Sequence, residues 1–252
     1  DHYVLDRLAH ARVTPTSLRG TEHQNRVYGA EVMSAGGDLV KVCEAADGGD
    51  ACPVLAAWDK HSNVGSRGNH IFEEFVKRLP APGLLPGPSI WQVPFDPNDP
   101  VNTPRDLDET NADVIAAMKD AIAFLRARNI PMDATWGSLQ VAGDDGAPPI
   151  PLGGGIGDEA GNANALASRN PSENRDFLKP VTYGSSHIQA ISFLSGGRVD
   201  ARTILTYSQS ENPASPWSSD QTRLFGQKKW VSFPWTDAQI REQRISRVTV
   251  TG

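Results

Sequence analysis

Three histidines, His61, His70 and His187, and the carboxylates Asp59, Glu73, Glu74, Asp96 and Asp99 are the side chains whose types could move a proton. Nucleophilic catalysis needs a Ser or Cys within hydrogen-bond reach of a base, and a third group to orient that base. None of the histidines has such a partner at a recognisable elbow. The "GSS" of Gly184–Ser186 lacks the G-x-S-x-G spacing that exposes a nucleophile on a strand-to-helix turn. Glu73 and Glu74 are adjacent in a helical pattern, so they point in different directions and read as a solvated face. Asp96 and Asp99 flank "PN" and read as turn formers. The run "GGGIG" at Gly153–Gly157 resembles a phosphate loop only superficially, because it lacks the following Lys-Ser/Thr and a strand–turn–helix frame. No self-contained nucleophile–base–orienter set is legible.

The elements around these residues belong to a chain rich in breaks. Only 38% of the 252 residues are hydrophobic, while Gly (23) and Pro (19) are plentiful. Such a chain carries long irregular segments or completes its core with a partner. A net charge of −6 without Lys/Arg-rich runs argues against a nucleic-acid surface. No apolar run approaches the roughly 20 residues that span a bilayer. Cys43 and Cys52 flank "EAADGGDA", whose Asp-Gly-Gly is turn chemistry. Two reduced thiols and a disulfide-closed loop both fit; the spacing and turn content favour the disulfide, which suits a secreted or periplasmic protein. No His falls at finger spacing to these cysteines, so a metal site is not expected.

The expected fold class is α+β. Residues 1–142 read as mainly helical with Pro-rich connectors: helices near Tyr3–His10 and His23–Met33, then "ACPVLAAWDK", "SRGNHIFEEFVKRL" and "ETNADVIAAMKDAIAFLRARNI". In the last of these, Val114, Ile115, Met118, Ile122 and Leu125 form one apolar stripe. "WQVPFDPNDPVNTPRDL" reads as extended with little room for a hydrogen-bond ladder, and "PMDATWGSLQVAG" as closing into a short strand. Residues 143–182 read as a long irregular surface excursion. Residues 183–252 read as a hairpin, "VTYGSSHIQAISFL" and "ARTILTY" joined at "SGGRVD", then a helix capped by Thr236 and an alternating strand "RISRVTVTG".

Five blocks carry a resemblance: "CPVLAAWDKHSNVGSRGNHIFEEF", "VPFDPNDPVNTPRDL", "IPMDATWGSLQ", "YGSSHIQAISF" and "ILTYSQSENPASPWSSDQTRLF". In this order they resemble the C-terminal part of the β chain of penicillin-acylase-type enzymes, on the aculeacin A acylase and acyl-homoserine-lactone acylase branch. The likeness runs from about Asn25 onward. It implies part of an αββα N-terminal-nucleophile sandwich completed by other chains of the same self-cleaved, secreted precursor: the α chain and the nucleophile-bearing part of β. In such enzymes the N-terminal Ser of β attacks an amide carbonyl, its own α-amino group is the base, and no cofactor takes part. Residue 1 here is Asp, so the resemblance puts the nucleophile, its base and the oxyanion donors on a partner chain. Three departures bear on substrate: Gly153 where relatives read His, Trp217 and Ser218 where they read His-Tyr, and His187 where an aromatic is common.

Within the last block, Gln209, Asn212 and Asp220 are expected to hold a strand-to-helix turn by side-chain to backbone hydrogen bonds. Three functions compete: a pocket-supporting chain of a heteromeric amidohydrolase, a stand-alone secreted binding protein without catalysis, and an independent hydrolase using His187 or paired acids.

Overall fold

A computed structural model describes residues 5, 8–9, 12–80, 89–142, 148–157, 160–167 and 179–249. The helix expected over Tyr3–His10 and the connector at 81–88 lie mostly outside these residues. The chain divides into two compact units. Mixed helix and sheet confirm the α+β class.

The larger unit, residues 1–11 and 22–185, is helical at its centre. Helix α1 spans Asp38–Ala45, α2 Ala51–Ala57, α3 Asn69–Val76 and α4 Ala112–Arg126. The stripe read from the sequence is the buried face of α4, where Val114, Met118, Ile122 and Leu125 enter the core while Ile115 stays half-exposed. Asn111 starts α4, its Oδ1 accepting the N–H groups of Asp113 at 2.9 Å and Val114 at 3.3 Å, which satisfies two orphan donors of the first turn. Gly68 precedes α3 at φ 108°, where a Cβ would lie 3.0 Å from Trp58; glycine alone enters that conformation without strain. Cys43 and Cys52 are joined by a disulfide between α1 and α2.

Two expectations are corrected here. The Pro-rich segment does form a ladder: β1 (Trp91–Val93) pairs antiparallel with β2 (Arg105–Leu107), with Trp91 opposite Leu107. Its prolines are Pro94, Pro97, Pro100 and Pro104, which fall between or beside the strands and remove no ladder donor. The described parts of 143–182 are not a surface excursion. Leu152 and Leu166 are fully buried, and Asn162 and Asn164 are buried with them. Strand β3 (Gln140–Ala142) pairs with β4 (Ile150–Pro151) and with β6 (Lys179–Pro180), and β5 (Leu166–Ala167) pairs with β7 (Tyr183–Gly184).

The smaller unit, residues 12–21 and 186–252, is an antiparallel three-stranded sheet in the order β10-β9-β8. Strand β8 is His187–Phe193, β9 Val199–Leu205 and β10 Val231–Ser232. The hairpin turn holds Gly196 and Gly197 at φ 73° and 69°, the left-handed values that favour glycine. Helix α5 (Asp220–Gly226) follows β9, and α6 (Asp237–Gln243) opens on a capping box of Thr236 and Gln239. Beyond α6 the alternating pattern of "RISRVT" makes no strand through residue 249, and Ile245 is 97% exposed. Alternation marks a strand only where another strand pairs with it, and no described residue does. No described helix is long and apolar enough to cross a membrane.

Candidate functional site

The stretch Tyr207–Phe225 carries the chain from the end of β9 into α5, and the closure is made of side chains. Leu205 donates its N–H to Gln221 Oε1 at 3.0 Å, so the helix supplies the acceptor that a neighbouring strand would otherwise provide. Ser208, at φ 59°, accepts the Thr222 N–H on its Oγ at 3.0 Å and shares a hydroxyl contact with Thr222 Oγ1 at 3.0 Å. Within the loop, the N–H groups of Gln209 and Ser210 both donate to the Trp217 carbonyl, at 3.1 and 3.2 Å. Asn212 Oδ1 accepts the Ala214 N–H at 3.0 Å, an Asx-turn before the next proline.

Of the three residues picked from the sequence, then, Asn212 acts through its side chain and Gln209 through its backbone. Asp220 opens α5, and its Oδ1 is buried without a hydrogen-bond partner among the described residues. Gln221 and Ser208 do the closing and were not singled out. The signal for Gln221 was present in outline: an amide side chain in the first turn of a helix that returns to the strand it has just left. Burial pushes the Tyr207 hydroxyl above its ordinary value, so it remains a protonated donor at neutral pH.

The larger unit contains a second ordered cluster, and it is structural chemistry. Gly154 O accepts from Trp136 Nε1 at 2.7 Å and from Gln140 Nε2 at 2.8 Å. The Gly154 N–H donates to Ser62 O at 2.9 Å, and the Gly155 N–H to Asn164 O at 3.2 Å. The two amides at the centre of the glycine run are therefore already committed and not offered to a phosphate. Asn164 Nδ2 donates to Asn25 Oδ1 at 2.8 Å, and Asn162 Nδ2 bonds Ser62 Oγ. A Cβ at residue 153 would lie 2.4 Å from Asn25 Nδ2, so Asn25 occupies the space a histidine there would need.

Glu73 and Glu74, read as a solvated face, are 2% and 4% exposed. Glu73 Oε1 accepts the Ile156 N–H at 3.0 Å, and Glu74 pairs with Lys77 at 2.9 Å and Arg78 at 2.8 Å. Buried carboxylates persist when such partners replace the water they lose. The glutamates point apart, as their adjacency requires, but each finds a partner instead of solvent.

The histidines do not assemble a catalytic set. Ser66, Asp59 and His61 come together beside an open groove of about 410 Å³ lined by Trp58 and Arg67. Ser66 Oγ donates to Asp59 Oδ2 at 3.0 Å, while His61 Nδ1 meets the main-chain oxygen of Asp59 at 2.6 Å. A triad requires the imidazole between hydroxyl and carboxylate; here the hydroxyl reaches the carboxylate directly, and the imidazole is not between them. His70 is fully buried, with Nε2 at 3.2 Å from Pro131 O. His187 is exposed on β8 and bonds Thr203 Oγ1 at 2.7 Å across the hairpin. Asp96 and Asp99 form a turn, with Asp96 Oδ1 accepting the Asn98 N–H at 2.8 Å. No group of His, Cys, Asp and Glu that could hold a metal occurs among the described residues.

The described residues form two α+β units, the smaller of which carries a built strand-to-helix turn. The penicillin amidase family model matches residues 2–242, and this chain belongs to that family. It is 32% identical to the acyl-homoserine lactone acylase PvdQ of Pseudomonas syringae pv. tomato, over 98% of this chain and 32% of the relative. It is 33% identical to the aculeacin-A acylase of Actinoplanes utahensis, over 90% of this chain and 29% of the relative. The chain thus spans about a third of the length of the relatives it matches.

Proposed function

We propose that this chain is the scaffold and pocket-supporting part of an amidohydrolase that removes a fatty or aromatic acyl group from an amine. The observation that carries the reading is family membership across nearly the whole chain, joined to a share of only 32% of a relative's length. The chemistry is assigned to the remainder, on other polypeptides of the same precursor. There an N-terminal Ser Oγ attacks the amide carbonyl and its α-amino group takes the proton. The amine leaves with that proton, and water then releases the acid from the acyl-enzyme. Backbone N–H groups and an Asn side chain stabilise the oxyanion.

In this reading the strands of the smaller unit join the sheets of an αββα sandwich. The turn through Gln209, Asn212 and Asp220, closed by Ser208 and Gln221, keeps the end of β9 in register beside a site carried elsewhere. The Cys43–Cys52 disulfide supports an exported, secreted or periplasmic enzyme.

Denaturing mass spectrometry of the active enzyme tests the assignment. The expected result is this chain together with a separate polypeptide that begins with Ser. A single polypeptide species with full activity overturns it. Penicillins, lipopeptides and N-acyl homoserine lactones of graded acyl length, assayed on the whole enzyme, then define the substrate.

A further inference from the structure

The Cys43–Cys52 bridge is shielded unevenly. Cys43 is 0% exposed and Cys52 7%. The main chain of Gly48 lies against both sulfurs: a Cβ there would sit 2.8 Å from Cys52 Sγ and closer still to Cys43 Sγ. That loop is held in place. The Gly48 N–H donates to Cys43 O at 2.9 Å, and the Gly48 carbonyl accepts from Arg126 Nη2 at 2.8 Å. Cys52, but not Cys43, lines an open groove of about 570 Å³ together with Val40, Glu44, Asp47, Gly49 and Pro53.

The groove carries one sign of charge. Glu44 and Asp47 are exposed and make no ion pair among the described residues. No Lys, Arg or His is among the described residues that line it. Arg126 approaches the same loop but is paired with Asp50 at 2.7 Å. Lys41, on α1, is paired with Asp38 at 2.9 Å.

Thiol–disulfide exchange begins when a thiolate attacks one sulfur and expels the other. Access decides which sulfur is attacked. Only Cys52 borders the groove, so the incoming sulfur bonds Cys52 Sγ, and Cys43 Sγ leaves with the electron pair of the broken bond. Cys43 sits in the last turn of α1, where the partial negative charge of the helix end disfavours a leaving thiolate. The attacking species is itself an anion and must pass Glu44 and Asp47. A cleft of one sign concentrates counter-ions and depletes like charges, which changes encounter rates by about tenfold or more.

We infer that the disulfide is a charge-selective redox site: small thiols enter through the acidic groove, form a mixed disulfide on Cys52, and are admitted in the order cationic, neutral, anionic. A second thiolate of the same reductant then attacks the reductant's sulfur in the mixed disulfide and releases Cys52 as a thiolate. A pair of reductant thiols is thereby oxidised to one disulfide, and the protein bridge takes up their two electrons and two protons. The inference concerns the Cys43–Cys52 loop and does not depend on the proposed reaction.

Reduction of the Cys43–Cys52 bridge in the whole enzyme, quenched with acid and mapped by mass spectrometry, tests it. The probes are cysteamine, 2-mercaptoethanol and mercaptoacetate, whose thiolates are zwitterionic, singly charged and doubly charged. Each rate is divided by that of the same thiol with a small neutral disulfide, which removes differences in thiolate fraction and nucleophilicity. At low ionic strength the normalised rates are expected to fall in that order across about tenfold, and concentrated salt should bring them together. The first adduct is expected on Cys52. Equal normalised rates at low ionic strength overturn the inference, as does an adduct on Cys43. A rate independent of thiol concentration overturns it too, because the bridge would then open only when the loop unfolds. The variant Glu44→Gln/Asp47→Asn should compress the order with the disulfide still formed, and an unchanged order overturns the role of the groove's charge. Should that variant fail to fold, the salt series on the unmodified enzyme decides.

Discussion

In the larger unit Trp136, Phe72 and Phe75 are fully buried, and the disulfide, α1–α4, Trp136 and Leu139 share one hydrophobic core. In the smaller unit Phe193, Trp217, Phe233 and Trp235 are exposed, and its buried apolar residues among those described are Ala190, Ala201, Ile204 and Phe225. The two units come from one chain, yet only in the first are most of the large apolar side chains enclosed. Apolar area removed from water is the main favourable contribution to folding. The first unit therefore has its own source of stability, and the second draws more on hydrogen bonds.

The largest test of that contrast is Trp136→Ala. The indole is fully buried, and its Nε1–H is one of two side-chain donors on Gly154 O. Truncation leaves a cavity and strips a partner from the buried glycine turn, at a cost of about 3–5 kcal/mol. Chemical denaturation should show the loss in the transition of the larger unit. A change below about 1 kcal/mol would mean that this interior is not well packed, and the contrast would fail.

Removing the disulfide is the next largest effect. Cys43 and Cys52 are nine residues apart, so closing their loop removes about 2–3 kcal/mol of unfolded-state entropy in the chain-entropy account. The double variant Cys43→Ala/Cys52→Ala should lower the larger unit's unfolding midpoint accordingly, and reductant should reproduce the shift on the unmodified protein but not on the variant. Equal destabilisation of both units would show that they do not unfold separately.

How much of this was legible follows from where the signal lies. The face of α4 was visible because period-3.6 burial is local, and its Asn111 start lies in the same window. The disulfide and the "SGGRVD" hairpin were readable for the same reason, being short-range chemistry. The burial of Glu73 was not readable, since its partner Ile156 lies 83 residues away. Nor was the packing of residues 148–157 and 160–166: glycines and asparagines read as loop, and only the fold shows that they mesh with Asn25, Ser62 and Trp136. The turn after β9 lies between these cases. Asn212 could be picked because an Asx-turn is local, whereas Gln221 acts across 16 residues.

Gln221 gives a moderate test on the smaller unit. Gln221→Ala leaves the Leu205 N–H without its acceptor, at a cost of about 1 kcal/mol for a partly buried amide. Amide exchange at Leu205 should rise while that of the β8 amides bonded to β9 is retained. Unchanged protection at Leu205 would show that another group closes this end of β9, and the smaller unit's reliance on hydrogen bonds would need revision.

The smallest effect is the ion pair that ties the segment at residues 12–21 to the sheet. Asp200 accepts from Arg19 at 2.6 Å and from Arg202 at 2.8 Å, with all three side chains about a fifth to a third exposed. Burial raises the carboxyl's proton affinity, but the two guanidinium groups outweigh it and hold Asp200 below the ordinary carboxylate value. The folded state therefore binds this proton more weakly than the unfolded chain. The stabilisation is fully present above the ordinary aspartate value of about 4 and is lost as pH falls below it, through the depressed folded-state value. Asp200→Asn should cost about 0.5–1 kcal/mol at neutral pH. The gap between the variant and the unmodified protein should narrow as pH falls below about 4, and added salt should narrow it at neutral pH. A gap that is constant across this pH range would assign the effect to packing of the side chain rather than to its charge.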